Sequence, residues 1–273
     1  MSQVSNVSAC EPRWLTLPAT PQLPAGCREG VVEVADARIW YAVYGSGAPV
    51  ILLHGGLGNS DYWGLQVGEL AKTWQVIVMD SRGHGRSSRG SGSMSYDLMA
   101  GDVMALMAHL ALPKAAIIGW SDGAIIGLLL AIRHPDLIAG VFSFGTNSNP
   151  SGTHDFTKSV VFNAYIARTG EEYALLSSTP GGFKRFFDEM MVMWTSQPNI
   201  AAGDLQKIRV PVWVVDGDHE EAIKRDDTLF IADNIPGSGL LIQPEVSHFS
   251  ILQNRRHPPV SPREMHRLDA GRL

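Results

Sequence analysis

The sequence predicts an α/β protein: a mostly parallel central sheet with helices on both faces and a helical cap inserted over one end. Three observations point to it. Short, almost continuously apolar runs recur at residues 50–53, 76–79, 115–118, 141–144 and 212–215, the composition of strands buried on both faces of a parallel sheet. Helix-like stretches fall between them, at 60–72, 96–112, 122–133 and 223–234, and alternating strands and helices close into an open, layered sheet. From 147 to 206 the alternation stops and only helical patches remain.

Composition sets the limits. The chain has 273 residues, 45% of them apolar and 18% charged, with a formal charge of −5. That suits one large globular core and argues against nucleic acid as the main partner, because phosphate binding needs a basic surface. The longest apolar stretch, 124–132, is too short to span a bilayer, so no membrane partner is expected. Cys10 and Cys27 lack metal-binding or redox spacing and read as two free thiols. The start is polar, without the charged and apolar regions of a secretory signal, and a cytoplasmic protein is expected.

Taken in order, residues 1–30 read as an irregular arm, punctuated by Pro12, Pro18, Pro21 and Pro24. Residues 31–35 and 38–44 are β-rich runs around Asp36 and Ala37 and predict a hairpin. Within 96–112, Leu98, Val103, Leu106, Met107 and Leu110 recur at roughly helical spacing. The core then occupies 31–146 and 207–253, interrupted by the cap at 147–206. In the cap the clearest helical patches are 162–167, 171–176 and 183–194. The apolar run 240–242 is the last strand.

The sharpest chemical signal is Gly119-Trp120-Ser121-Asp122-Gly123. It matches G-x-S-x-G, follows a strand and opens a helix, the setting of a nucleophile elbow. Such a turn demands small flanking residues and presents the hydroxyl at a helix N-terminus, where developing negative charge is favoured. A serine nucleophile needs a base, and His248 lies on the loop beyond the last strand. The acid should follow strand 212–215, in Asp216-Gly217-Asp218-His219-Glu220-Glu221. Glu220 and Asp218 are both candidates to orient the imidazole, whereas Asp216, nearest the strand end, suits the turn itself. Backbone N–H groups make the least costly oxyanion site. His54-Gly55-Gly56-Leu57-Gly58 after strand 50–53 offers the N–H of Gly56, and Asp122 offers the second.

These pieces together resemble the α/β-hydrolase superfamily, over about residues 31–253. The resemblance rests on His54-Gly55-Gly56, Asp80-Ser81-Arg82-Gly83-His84-Gly85-Arg86-Ser87, the Ser121 elbow, the acid loop and His248, in the family's order. It implies an α/β-hydrolase fold, structural roles for Asp80 and Arg82, and a Ser121, Glu220, His248 triad. The family's acid loop usually reads Gly-Asp-x-Asp with the last Asp in the triad. Aligning on Gly217-Asp218 puts Glu220 there, a longer side chain that the loop must accommodate. The Trp-Ser-Asp-Gly elbow is similar to that of valacyclovirase-type esterases and their bacterial relatives. There an Asp after the serine recognises the α-amino group of an amino-acid ester. Asp122 stands at that position, and the alternative is that it caps the helix start.

The expected activity is hydrolysis of small carboxylic esters through an acyl-enzyme on Ser121, with no metal and no organic cofactor. Thioesterase, amidase and C–C bond hydrolase chemistry use the same triad, and a weakly catalytic ligand-binding protein is the second class. Leu57, Trp120, Asp122, Met190 and Trp194 are the candidate substrate-binding side chains; the last two belong to an apolar wall that also holds Phe183, Phe186, Phe187, Met191 and Met193. Beyond Gln253 the family continues into an apolar helix. Here residues 254–273 carry Pro258, Pro259 and Pro262 and few apolar side chains, which suggests a shifted frame or rearranged gene end. A sheet without that cover would expose apolar surface and favour a homo-oligomer.

Overall fold

A computed structural model describes residues 11–253; Cys10 and the tail 254–273 lie outside the described residues. Eight strands form one sheet: β1 (Arg28–Val34), β2 (Ala37–Tyr44), β3 (Ala48–Leu53), β4 (Trp74–Met79), β5 (Ala115–Trp120), β6 (Ile138–Phe144), β7 (Val212–Gly217) and β8 (Gly239–Gln243). Their spatial order is β1-β2-β4-β3-β5-β6-β7-β8. β2 runs antiparallel to β1 and β4, and every other pairing is parallel. The two-sided burial expected of the apolar runs is present: every residue of β5 is buried, and Val50, Ile51, Leu52 and Leu53 have no exposed surface.

The helices are α1 (Gly64–Leu70), α2 (Tyr96–His109), α3 (Asp122–Arg133), α4 (Val160–Leu176), α5 (Phe183–Ser196), α6 (Ala202–Leu205), α7 (Arg225–Asn234) and α8 (Ser250–Gln253). Side-chain caps set where two of them begin. Ser95 accepts from Leu98 N at 3.1 Å to start α2, and Ser159 accepts from Phe162 N at 3.1 Å to start α4. α3 packs on β5 and β6, with α2 beside it. No helix among the described residues is long and apolar enough to cross a membrane.

Several predicted boundaries shift. The stretch 60–72 is a 3-10 turn, Ser60–Trp63, followed by α1. α7 starts at Arg225 because Ala222 and Ile223 give their N–H groups to Glu220 instead of to a helix. The patches 162–167 and 171–176 are one helix, α4, which runs through Gly170. Phe183 of α5 fills the space beside that glycine, so tertiary packing offsets its low helix propensity.

Asp80 and Arg82 hold the β4 end. Asp80 accepts from Ser60 N and Oγ at 2.7 and 2.6 Å and from Arg86. Buried Arg82 makes a two-point pair with Asp102 of α2 at 2.6 and 2.5 Å. The described part of the arm is strapped across the molecule. Trp14 stacks on His219 at 3.8 Å, Arg13 pairs with Glu245 at 3.0 Å, and Arg168 of α4 donates to the carbonyls of Leu17 and Pro18. The Cys27 thiol lies 3.5 Å from Glu29.

Candidate active site

Ser121 follows β5 directly and precedes α3, with φ 55° and ψ −119°. A non-glycine residue seldom occupies this region, and the strain persists only where surroundings enforce it. Here they do. Ser121 N donates to Phe144 O at 2.8 Å, and Ser121 O accepts from Ala124 N and Ile125 N. A side chain at Gly119 would overlap the Ala124 backbone, and one at Gly123 would overlap the Leu53 carbonyl. Those two glycines are therefore what lets the elbow fold so tightly.

A cavity of about 270 Å³ lies between the loops that follow the parallel strands and the helices α4 and α5. Ser121, His248, Gly56, Trp120, Asp122 and Trp194 all line it, so six of the residues selected from sequence meet in one place. Two others do not. Leu57 is buried in a left-handed turn (φ 64°) and is absent from the lining. Met190 is also a correction. It points into the core with Phe186 and Met193, while Met191, one position on, faces the cavity with Trp194 and Thr195. The apolar stripe is helical, so neighbouring residues face different ways.

His248 is buried, its ring surrounded by Trp120, Phe144, Phe162 and Phe249 at centroid separations of 5.8–6.4 Å. Its main chain is fixed at both ends: His248 O accepts from Trp120 Nε1 at 2.8 Å, and His248 N donates to Glu221 Oε2 at 2.9 Å. Nδ1 lies 2.8 Å from Glu220 Oε1 with both side chains 2% exposed. The approach is close but not in line for a hydrogen bond, and Nδ1 has no hydrogen-bond partner. Glu220 Oε1 is held by Ala222 N and Ile223 N at 2.8 and 3.0 Å. Asp218 is exposed and turns away, accepting from Val246 N at 3.2 Å. Of the two candidate acids, Glu220 is the one beside the imidazole. Gly145 makes room for the pair, since a side chain there would press on the His248 ring at 2.9 Å.

Burial pushes His248 below the ordinary imidazole value, partly offset by the charges of Glu221, Asp216 and Asp122. Glu220 is pushed up, by burial first and then by the neighbouring Glu221 charge. The imidazole therefore favours its neutral, proton-accepting form.

Asp122 does not cap α3. Its Oδ1 accepts from Tyr96 Oη at 2.8 Å and its Oδ2 from Trp194 Nε1 at 2.9 Å. Burial raises its carboxyl to about 6 despite those two bonds. Asp122 thus ties the cap helix α5 and the start of α2 to the elbow, with the Trp194 indole lying against Gly56. Tyr96, Asn147, Tyr165 and Gln197 also line the cavity. Sequence reasoning missed them, since each is a lone residue outside any motif. Tyr165 Oη donates to Gly56 O at 2.7 Å, which braces the loop expected to hold the oxyanion.

The family described as the alpha/beta hydrolase fold matches residues 48–182. An uncharacterized hydrolase of Bacillus subtilis, YraK, is 37% identical over 111 residues, 40% of this chain and 41% of that protein. The human serine hydrolase BPHL is 26% identical over 242 residues, 80% of this chain and 79% of its own. The structure of Est816, described as an N-acyl homoserine lactone degrading enzyme, superimposes with a TM-score of 0.66 at 26% identity, over 89% of this chain and 100% of that one. Curated relatives matched at 35–42% identity are covered over only 36–41% of their own length.

Proposed function

The chain belongs to the α/β-hydrolase superfamily, and from that premise we propose that it is a serine hydrolase that cleaves small carboxylic esters through an acyl-enzyme on Ser121. One observation carries the reading. The strained serine and a buried histidine backed by a carboxylate line the same cavity. That is the arrangement nucleophilic acyl transfer needs.

His248 takes the Ser121 proton as Oγ attacks the ester carbonyl. The N–H groups of Gly56 and Asp122 receive the developing oxyanion, and the α3 N-terminus adds to that field. Glu220 stabilises the imidazolium. His248 then returns the proton to the departing alkoxide, and water repeats the sequence on the acyl-serine. Trp120, Phe156, Phe162 and Trp194 give the cavity apolar walls, and its volume suits a short acyl group better than a long chain. Asp122 recognises an ammonium group only if Trp194 releases its hydrogen bond. Neutral esters and lactones are therefore favoured over amino-acid esters.

Labelling with a fluorophosphonate probe tests the assignment. Stoichiometric modification of Ser121, lost in Ser121→Ala and in heat-unfolded protein, is expected. Absence of label on folded protein would instead favour a ligand-binding role.

A further inference from the structure

The loop after β3 is held from two sides, and one of them is the cap. Its start lies on the elbow: a side chain at Gly55 would meet Ser121 Cβ and the Trp120 ring at 3.1 Å. Gly56 lines the cavity beside Ser121, and its N–H reaches no backbone acceptor among the described residues. The aim of that N–H depends on the two peptide planes that meet at Gly56. The first plane, which carries the N–H, is anchored from the core. Gly55 O accepts from Gly58 N at 3.1 Å and from His54 Nδ1 at 2.8 Å. His54 Nε2 accepts from Ser81 N at 3.0 Å, which leaves the ring proton on Nδ1. The second plane leads into Leu57, in the left-handed region. Its carbonyl, Gly56 O, accepts from the Tyr165 hydroxyl of α4 at 2.7 Å and from no other donor among the described residues.

Hydrogen bonds at a carbonyl tolerate a broad range of angles, so the core anchors alone leave the first plane some tilt. Fixing Gly56 Cα from its far side removes that tilt, and the Tyr165 bond does so. The cap supports the loop's other end as well. Glu172, about two turns along α4 on the same face, accepts from Asn59 Nδ2 at 3.2 Å. Tyr165 is buried, and its ring packs against Tyr62, Trp120, Phe162 and Phe249. Burial holds its hydroxyl well above the ordinary value, so it remains a donor. A side chain at Gly58 would press on that hydroxyl at 2.9 Å.

Resting on the serine-hydrolase reading, we propose that Tyr165 is a positioning residue for this reaction. Its hydroxyl, seconded by the Glu172 bond to Asn59, holds the loop so that the Gly56 N–H points at the developing oxyanion. The cap is then a working part of the oxyanion site as well as its roof. Tyr165 touches no reacting atom. Its effect is realised where charge builds on the oxygen, so it belongs to kcat and not to substrate binding.

The test compares Tyr165→Phe with wild type, using p-nitrophenyl acetate for kcat and KM across pH and butylboronic acid as inhibitor. The boron bonds to Ser121 Oγ, the serine proton passes to His248, and the tetrahedral adduct sets an oxygen in the oxyanion site. Tyr62→Phe removes another buried hydroxyl of the same aromatic cluster, one that does not reach Gly56, and Ser121→Ala is the blank. Tyr165→Phe should lower kcat about tenfold, a fraction of the roughly hundredfold cost of losing a whole oxyanion donor. Butylboronic acid should bind more weakly by a similar factor, with KM and the acid-limb midpoint unchanged. Tyr62→Phe should keep kcat within about twofold. The proposal is overturned if Tyr165→Phe keeps wild-type kcat and boronic acid affinity, or if only KM rises, which would make the hydroxyl a wall of the cavity. It is equally overturned if the acid limb moves, or if the two tyrosine variants lose activity alike, which would make the cause packing. Should Tyr165→Phe fail to melt cooperatively, Asn59→Ser decides. Ser still caps the turn that follows but does not reach Glu172. A severalfold loss of boronic acid affinity is expected there, and unchanged affinity would overturn the proposal. Activity surviving in Ser121→Ala would reject the serine mechanism itself, and the proposal with it.

Discussion

At Ser121 the backbone carries strain that the flanking Gly119 and Gly123 make room for and the surrounding contacts enforce. Its base is tuned by burial. His248 is held below the ordinary imidazole value because its charged form loses hydration that the flanking carboxylates only partly replace. The sign follows directly: the neutral base persists to lower pH than a free histidine allows. The acid limb of kcat/KM should therefore have its midpoint below 6.5, the unperturbed value. A pH–rate profile on a neutral ester checks this, and a midpoint at or above 6.5 would contradict it. Asp122 illustrates what a motif conceals. From sequence it can cap a helix or meet an ammonium group; in the fold both its oxygens are taken by Tyr96 and Trp194. Those partners come from residues 26 and 72 positions away, a separation that local pattern does not encode.

Among the elements, the apolar strands and the Ser121 elbow were the most legible parts, because burial on both faces and the G-x-S-x-G spacing are local signals. The acid loop was readable as a place but not as a geometry. Glu220 and Asp218 differ by two positions, and only pairing with the β8 loop turns Asp218 outward. In α5 the apolar stripe was visible, but which residue of Met190 and Met191 faces the cavity depends on the helix's rotation against the core. Least legible was the arm, whose prolines read as irregular chain. In the fold it bridges the acid loop, through Trp14 and His219, and the cap, through Arg168 and Thr20 with Glu172. Arg168→Ala removes two charge-assisted hydrogen bonds to the arm's carbonyls, a loss of about 1–2 kcal/mol of arm docking. Limited proteolysis should cut the arm faster in this variant while the core stays intact; an unchanged cleavage rate would show that the arm docks without it.

For the whole molecule, the site is carried by a sheet whose β4 end is locked to α2 through Arg82 and Asp102. Both side chains are at most 4% exposed. Removing one member of such a pair leaves a buried charge uncompensated. Asp102→Ala should cost about 3 kcal/mol of unfolding free energy, the low end of that effect because Asp36 also reaches Arg82 at 3.4 Å. Urea denaturation with an unchanged m-value would measure it, and a loss below about 1 kcal/mol would mean the charge is compensated elsewhere. The cavity, elbow and histidine loop depend on this frame but are not part of it, so stability and activity should separate by mutation. The central claim is that Ser121 is the nucleophile of an esterase. Its most direct measurement is turnover of p-nitrophenyl esters from acetate to octanoate by wild type and Ser121→Ala, with folding of both verified by cooperative melting. The predicted result is turnover that favours the short esters and falls at least about a thousandfold in Ser121→Ala. Equal turnover by the two proteins, or none by a cooperatively folded wild type, would contradict it.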